Sequence, residues 1–500
     1  MHQADVVVVG KGNAALCAAL AARDAGASVI VLEAATLDES GGNSRFAGGV
    51  MRFAYDGVRD LQKVTDIPAE EVDTVDWESN TQDQFYDDLY TVTGYRTDPH
   101  LSEILITQSL DAMVWLRSQG ARFLPNYRHQ SAVVNGKRKF FGRMPLIMHG
   151  GGPGLVQSLT DTAEKKGITI FYETRAAELL YDGERVLGVK AKSQGKPGEF
   201  GAKAVVLACG GFEANPEWRT RYLGPGWELA KVRGSRFNMG DGLKMALEIG
   251  ACPYGNWSGR HAVSWERHAP EFGDLSLPES SYRHSYPMSL MINTEGKRFV
   301  DEGAEFYNYT YAKYGAEVLK QPGQAAWQVF DAKVKPLLRP EYGDRAVTRA
   351  VANTLEELAS KMEGLANPEA FLQTVKAFNA AVRTAVPFNH AVKDGRGTVG
   401  IDPPKSNWAH PLDTPPYEAY AITCGITFTF GGLRTVPDTG QVVDVNMHPI
   451  PGLYTGGEML GGLFYFNYAA GTGLVSGTVF GRIAGRSAGA AAVQSQQPEA

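Results

Sequence analysis

Residues 5–9 read Asp-Val-Val-Val-Val and run directly into Gly10-Lys11-Gly12-Asn13-Ala14-Ala15. A short unbroken β-branched run of this kind predicts a strand buried on both faces of a parallel sheet. Leu16 to Ala25 is alanine-rich and predicts a helix stopped by Gly26. Ser28 to Leu32 predicts a second strand, with Glu33 at its end. Gly10 permits the tight turn and Gly12 lets main chain approach a pyrophosphate. The helix start offers free N–H groups and a favourable dipole. Ala15 stands at the third glycine position, and Glu33 is placed to accept from an adenosine ribose hydroxyl. Strand, glycine turn, helix, strand and acid in this order specify a dinucleotide-binding unit, with Gly10, Gly12, Asn13, Ala14 and Glu33 as its first contacts.

The other glycines extend that cradle. The chain has 57 glycines, without a collagen period, in short clusters. Gly41-Gly42-Asn43-Ser44-Arg45-Phe46-Ala47-Gly48-Gly49 follows the acid closely. NAD does not require such a second loop, whereas FAD presents both a pyrophosphate and an isoalloxazine to main chain. Gly42, Asn43, Ser44, Gly48 and Gly49 are therefore candidate FAD contacts. The loop holds no histidine, so the expectation is non-covalent FAD. Ala204 to Leu207 predicts a buried strand entering Ala208, Gly210 and Gly211. Gly452 to Thr455 predicts a strand entering Gly457 and Glu458. Gly471-Thr472-Gly473-Leu474 opens a helix over Val475 to Ala484, whose N-terminus suits the flavin edge that becomes negative on reduction.

Five hundred residues are long for a single core and predict two domains, one perhaps split by an insertion. Hydrophobic residues at 43% and charged residues at 21% are globular values. The net charge of −6 provides no field for nucleic acid or an anionic membrane. Cys17, Cys209, Cys252 and Cys424 form no C-x-x-C pair and read as buried thiols. The first strand, expected from about Asp5, leaves no room for a secretory leader, and no run of 18 apolar residues occurs. The expectation is a cytoplasmic protein without direct membrane insertion. H-E-x-x-H, paired histidines at helical spacing and Asp-rich loops are absent, so no metal site is expected; G-x-S-x-G is absent too. Helical patterning dominates 350–386, and the tail beyond Ala488 is expected to fray.

The order GKGNAA, GGNSRFAGG, VVLACGGFEANP, NTEGKRFVDE and GLYTGGE with GTGL resembles the flavoprotein family of fumarate reductases, succinate dehydrogenases and 3-ketosteroid dehydrogenases. Within it the chain resembles most the FAD-dependent tricarballylate dehydrogenases, through residues 12–35, 231–265, 298–315 and 464–485. The resemblance spans nearly the whole chain. It implies an α/β fold: a Rossmann-like FAD-binding domain built from both chain ends, 1–255 and 413–500, and an inserted α+β capping domain, 256–412, for the substrate.

The resemblance also implies the chemistry. A base takes a proton beside an electron-withdrawing group while hydride passes to flavin N5. Fumarate reductases place a proton-donating Arg after the G-x-R-F-x-x-E segment; here Phe306-Tyr307-Asn308 follows, without Arg. Phe428 replaces their substrate His and Tyr468 their substrate Arg. Tyr307 and Tyr468 are thus candidate catalytic residues, Tyr468 resembling the tyrosine that ketosteroid dehydrogenases set near a carbonyl. A phenol acting as base needs a nearby cation. Arg283, His284 and His261 are candidates for it, and His261 also for substrate binding. Arg260 and Arg283 are candidate carboxylate anchors. Arg298 reads as a packing residue paired with Asp301 or Glu302, and His268, His390, His410 and His448 as exposed or capping. The leading expectation is a tricarballylate-like dehydrogenase or reductase of a small molecule. Phe306, Phe428, Phe430, Phe464 and Phe466 favour instead a ketosteroid-type desaturase or ene-reductase. A non-catalytic electron-carrier subunit is the third reading, but no iron–sulfur or haem segment accompanies it. Electrons would leave through a separate transfer partner or a quinone.

Overall fold

The computed structural model describes residues 2–127, 131–134, 136–276 and 281–495. The chain divides into two units. The first comprises Met1–Gly224, Gly234–Arg260 and Phe428–Ala500; the second comprises Pro225–Arg233 and His261–Thr427. The second unit thus covers most of the expected 256–412 insertion, begins five residues later, continues to Thr427, and takes in the short 225–233 segment as well.

In the first unit the strand His2–Val9 lies between Val29–Leu32 and Lys196–Leu207, parallel to both. Val9 stands level with Leu32 on one side and Leu207 on the other. Thr169–Phe171 and Pro449–Thr455 extend this parallel core outward. Thr174–Tyr181 and Val186–Ser193 join it antiparallel through Lys196–Leu207. Val6, Val7 and Val8 are fully buried, as an unbroken β-branched run requires. The strand starts before Asp5 because the His2 ring stacks on Phe200, with centroids 4.9 Å apart.

The chain ends meet through small residues. The helix Asn13–Asp24 presents Ala14, Ala18 and Ala22, and the helix Thr472–Gln494 presents Gly481, Gly485 and Gly489 at four-residue spacing. A Cβ on Gly485 would stand 2.0 Å from the Ala18 carbonyl oxygen, and one on Gly481 would stand 2.4 Å from that of Ala14. These backbones lie too close for any larger residue. The same packing corrects two expectations: the C-terminal helix starts at Thr472, before Val475, and it continues past Ala488 to Gln494 with Ala488 and Ala492 buried, while residues 496–500 of the expected frayed tail lie outside the described residues.

The second unit is an α+β layer structure. Ala326–Phe330 pairs antiparallel with Leu290–Asn293 and with the strand that begins at Tyr417, and Arg349–Ala352 pairs with the same Tyr417 strand. Leu290, Ile292, Trp327 and Val329 pack with Phe371, Val375 and Phe378 of the helix Pro368–Ala381. The expected long helical stretch over 350–386 is a strand, Arg349–Ala352, and two helices, Leu355–Lys361 and Pro368–Ala381. Thr354 caps the first by accepting from the Glu357 amide at 3.1 Å. Asn367 caps the second, with Pro368 at its first position. Gly364, at φ +80°, breaks the chain between them.

Candidate cofactor and substrate sites

The dinucleotide motif opens onto a cleft of the first unit. Gly10, Gly12, Asn13, Ala14, Glu33, Gly42, Asn43, Ser44, Ala208, Gly210 and Glu458 line it, all predicted contacts. Lys11, Asn238 and Asp241 line it as well and were not singled out from the sequence. Gly10 has φ +105°, and a Cβ there would meet the Ala208 carbonyl oxygen at 2.5 Å, so only glycine makes this turn. Gly12 caps the Asn13–Asp24 helix without a side-chain bond. The Glu33 carboxylate is buried and accepts from the Ala35 amide at 2.8 Å; burial pushes its pKa upward. Glycine-capped helix start, buried acid at the strand end and main chain from distant segments fit the adenosine and pyrophosphate of FAD. These residues would hold it there.

Several predicted contacts spend their polar atoms on the frame. Asn13 donates from Nδ2 to the Leu474 carbonyl (2.8 Å) and to Thr478 Oγ1 (3.1 Å), tying the first helix to the last. Ser44 Oγ accepts from the Asn13 amide at 2.9 Å. Gly49 packs against Gly151, and the neighbouring Ala47 carbonyl accepts from the Gly152 amide at 2.8 Å. Gly48 is half-buried in the same loop. Gly211 stands against Glu458 and Thr429, and Gly457 against Ala14. The Gly473 amide, in the first turn of the last helix, donates to Tyr468 Oη at 2.8 Å. Tyr468 packs edge-on against Phe428 and Phe464, both with centroids at 5.2 Å, and Phe430 completes this aromatic group. Cys209 and Cys252 are half-buried rather than buried; Cys17 and Cys424 are buried. Burial pushes the Cys17 and Cys209 thiols up to about 12, which keeps both protonated.

The other catalytic candidates belong to the second unit. His284 stacks on Tyr282 (4.5 Å) and on Tyr307 (5.8 Å), and Tyr311 meets both His261 and His284 edge-on. The sequence reading missed the two cations here. The Arg339 guanidinium lies 5.1 Å from the Tyr307 ring centroid and 5.7 Å from that of Tyr282, and Arg233 lies 5.6 Å from Tyr282. Burial opposes charge on Arg339, but Tyr307, Glu341 and Tyr282 outweigh it and hold its pKa well above the usual value. Burial, then the field of Arg233, pushes His261 well below the ordinary imidazole value. Burial, then Arg339 and Arg233, does the same to His284. Both rings are therefore neutral near pH 7 and are not the cation expected beside Tyr307. His284 Nε2 is buried without a hydrogen-bond partner among the described residues.

Arg283, expected as that cation or as a carboxylate anchor, is 1% exposed and bonded to Glu266 at 2.8 Å. Its charge is compensated inside the fold; Arg339 is paired too, its Nε donating to Glu341 at 2.8 Å, but it is Arg339 whose guanidinium lies over the Tyr307 ring. Nothing in Leu338-Arg339-Pro340-Glu341 marked Arg339, because the juxtaposition is made by the tertiary fold. Arg298 pairs with Glu302 at 2.6 Å, whereas Asp301 bonds Ser406 instead. His410 is buried, 3.8 Å from Asp331, and burial pushes its pKa down to about 3; it is not a surface histidine. Among the described residues no three His, Cys, Asp or Glu side chains gather as a metal site, and no helix is long and apolar enough to cross a membrane.

Comparison with known proteins completes the description. The chain matches the family model described as an FAD binding domain over residues 5–474. It is similar to the cytochrome fumarate reductase of Shewanella frigidimarina, 30% identical over 475 residues, covering 94% of this chain and 74% of that protein. It is similar also to the 3-oxosteroid 1-dehydrogenase of Mycobacterium tuberculosis, 26% identical over 551 residues, covering 92% of this chain and 93% of the other. Among solved structures, the open conformation of a flavocytochrome c3 fumarate reductase superposes with a TM-score of 0.73 at 27% identity, covering 98% of this chain and 79% of that one.

Proposed function

The chain belongs to the FAD-binding flavoprotein family of fumarate reductases, succinate dehydrogenases and 3-ketosteroid dehydrogenases, and on that premise we propose that it oxidises or reduces a carbon–carbon bond next to a carboxylate, as a tricarballylate dehydrogenase does. FAD, when bound, supplies the two-electron acceptor or donor for hydride. The observation that carries the carboxylate reading is the pair of guanidiniums, Arg233 and Arg339, gathered on Tyr282 beside the unpartnered His284 Nε2. Glu341 pairs with Arg339 through Nε, so the charge offered to a carboxylate is that of Arg233 together with the Arg339 N–H groups turned to the tyrosines, and a neutral imidazole adds a hydrogen bond without adding charge. Burial is the larger reason that His261 and His284 are neutral, and the field of Arg233 and Arg339 that adds to it also draws in a carboxylate.

The protein's own part is to orient the substrate and to move one proton. Tyr307 Oη is the group we assign to that transfer, with Arg339 over its ring to compensate charge in the reaction. Reducing equivalents pass to a separate electron-transfer protein or a quinone, because the sequence carries no cysteine pattern for an iron–sulfur cluster or attached haem. A second reading, desaturation of a ketone, draws on Phe428, Phe430, Phe464 and Tyr468, with Tyr468 Oη on the Gly473 amide. Anaerobic mixing of the flavoprotein with tricarballylate, succinate and cyclic ketones separates the two. Bleaching of the flavin by tricarballylate supports the first reading; bleaching by ketones alone replaces it with the second.

A further inference from the structure

Two acidic side chains meet beneath the cofactor cleft with no base between them. Glu213 is fully buried, and its Oε1 accepts from Asn43 Nδ2 and from Asn238 Nδ2, both at 2.5 Å. Its Oε2 is buried, and among the described residues no N–H or side-chain hydroxyl bonds to it. Glu458 lines the cleft, and its Oε1 accepts from the Thr429 amide at 2.8 Å and from Thr429 Oγ1 at 3.2 Å. The two carboxyls lie within reach of each other and act on each other's proton affinity. Two carboxylates in contact and out of water repel, and the contact becomes a bond only when one of them carries a proton. Glu213 Oε2 is the place for it: as O–H it donates to Glu458, while Oε1 stays the acceptor for the two amides. Burial, reinforced by Glu458, pushes Glu213 well above the usual carboxyl range; burial also raises Glu458, against the donors it accepts from.

Apart from the buried Arg219, the side chains at the pair are neutral. Asn43, Asn238, Thr429 and Gly211 face the pair directly. Arg219 donates from Nη1 to the Glu213 main-chain carbonyl at 3.2 Å. Lys11, Glu33 and Asp241 line the same cleft, where Arg175 pairs with Asp241 at 2.9 Å. What the pair does connect is the cradle. Asn43 belongs to the glycine turn Gly42–Phe46, and its Oδ1 accepts from the Ser235 amide at 2.7 Å. Glu213 follows Gly210-Gly211, and Glu458 sits in the turn Gly457–Met459.

We propose that Glu213 and Glu458 share a single proton, and that this proton fastens the Asn43 turn, the Gly210-Gly211 segment and the Gly457–Met459 turn into one frame that grips FAD, so that cofactor retention is proton-linked. The inference rests on the flavin reading of the cleft. Glu213 acts through Asn43 and Glu458 and is a positioning residue. Loss of the proton at alkaline pH sets two negative charges against each other and loosens the frame.

The test is the dissociation constant of FAD, followed by quenching of its fluorescence from about pH 6 to about pH 10. The proteins are the full chain and its Glu213→Gln and Glu213→Leu variants. The amide introduced by Glu213→Gln would reproduce the protonated acid, its oxygen accepting from both asparagines and its N–H donating to Glu458. Wild-type affinity is expected to fall at least tenfold toward the alkaline end, with the slope of one proton. Glu213→Gln is expected to match wild type within about threefold at pH 6 and to lack that component of the fall, whereas Glu213→Leu binds weakly throughout. The flavin's own alkaline ionisation is common to all curves, so the difference between wild type and Glu213→Gln reports the pair. Parallel curves for those two proteins, or a wild-type curve without the one-proton fall, overturn the proposal while leaving the flavin reading intact. A chain that takes up no FAD at any pH overturns both.

Discussion

The cofactor cleft of the first unit and the tyrosine–histidine cluster of the second meet opposite electrostatic demands by the same means. The cleft buries acids: Glu33, Glu213 and Glu458 are all pushed upward, toward holding protons. The cluster buries bases: His261 and His284 are pushed well downward, toward losing them. In both, desolvation is the largest cause, and neutralising a side chain costs less than burying its charge. The cluster differs in keeping two guanidiniums, which cannot be neutralised near pH 7. Such lasting charge beside neutral rings suits an anionic substrate, whereas the amide-rich cleft suits a cofactor bound through main chain and hydrogen bonds.

The largest expected effect tests the cleft. Gly211→Ala would put a Cβ 2.1 Å from Glu458 Oε1 and 2.2 Å from Thr429 Oγ1. Overpacking of this size costs about 1–3 kcal/mol, and here the strain falls on cofactor contacts. FAD affinity should drop about 10- to 100-fold, seen as nearly colourless purified protein. Gly485→Ala sets its Cβ 2.0 Å from the Ala18 carbonyl oxygen and should cost a comparable 1–3 kcal/mol or so, but in stability. Denaturant unfolding should shift to lower concentration; an unshifted midpoint would remove the glycine ladder from the account.

The third effect separates the two regions by pH. His261 and His284 are depressed in the fold, so below the unfolded imidazole value near 6.5 the unfolded chain binds protons that the native one refuses. Stability is therefore complete above about pH 6.5 and falls as the pH drops, by up to about 1.4 kcal/mol per pH unit for each histidine. His284→Gln should flatten this acid limb. The raised carboxyls act with the other sign. Their contribution is present below the unfolded carboxyl value and is lost as pH rises through the folded one, so Glu213→Gln should improve stability at alkaline pH. The smallest effect is Tyr468→Phe, which leaves the Gly473 amide without its phenol partner. It should cost about 1 kcal/mol, read as a several-fold slower flavin reduction, and an unchanged rate would take Tyr468 out of the reaction.

The cleft was readable because its parts are local in sequence. Gly10, Gly12 and Glu33 stand at spacings that one strand–turn–helix unit enforces, and each later glycine pair sits at a strand end. The FAD assignment and the α/β fold follow from that. The chain-end packing carried a signal too, glycine at every fourth position from 477 to 489, which begins inside the helix expected over Val475 to Ala484, but its last member, Gly489, falls in the alanine-rich segment past Ala488 whose composition alone suggests fraying. The cluster was readable only in part: His261, His284 and Tyr307 were singled out, whereas Arg233, Tyr282 and Arg339 were not. Arg233, His261, Tyr282, Tyr307 and Arg339 are scattered along the chain from 233 to 339, and only tertiary packing decides that Arg283 is spent on Glu266 while Arg339 lies over Tyr307. Glu213 stood in view after a double glycine, but its meaning depends on Glu458, far along the chain.

The division of labour between the two regions is tested most directly by the KM for tricarballylate in anaerobic flavin reduction, compared between wild type and Arg339→Gln at matched FAD content. Removing one charged partner from a buried carboxylate contact costs about 2–5 kcal/mol, so KM should rise at least about 30-fold while bound FAD stays the same. An unchanged KM, or a variant that loses FAD along with tricarballylate, would contradict a carboxylate site held by the second unit and a cofactor site held by the first.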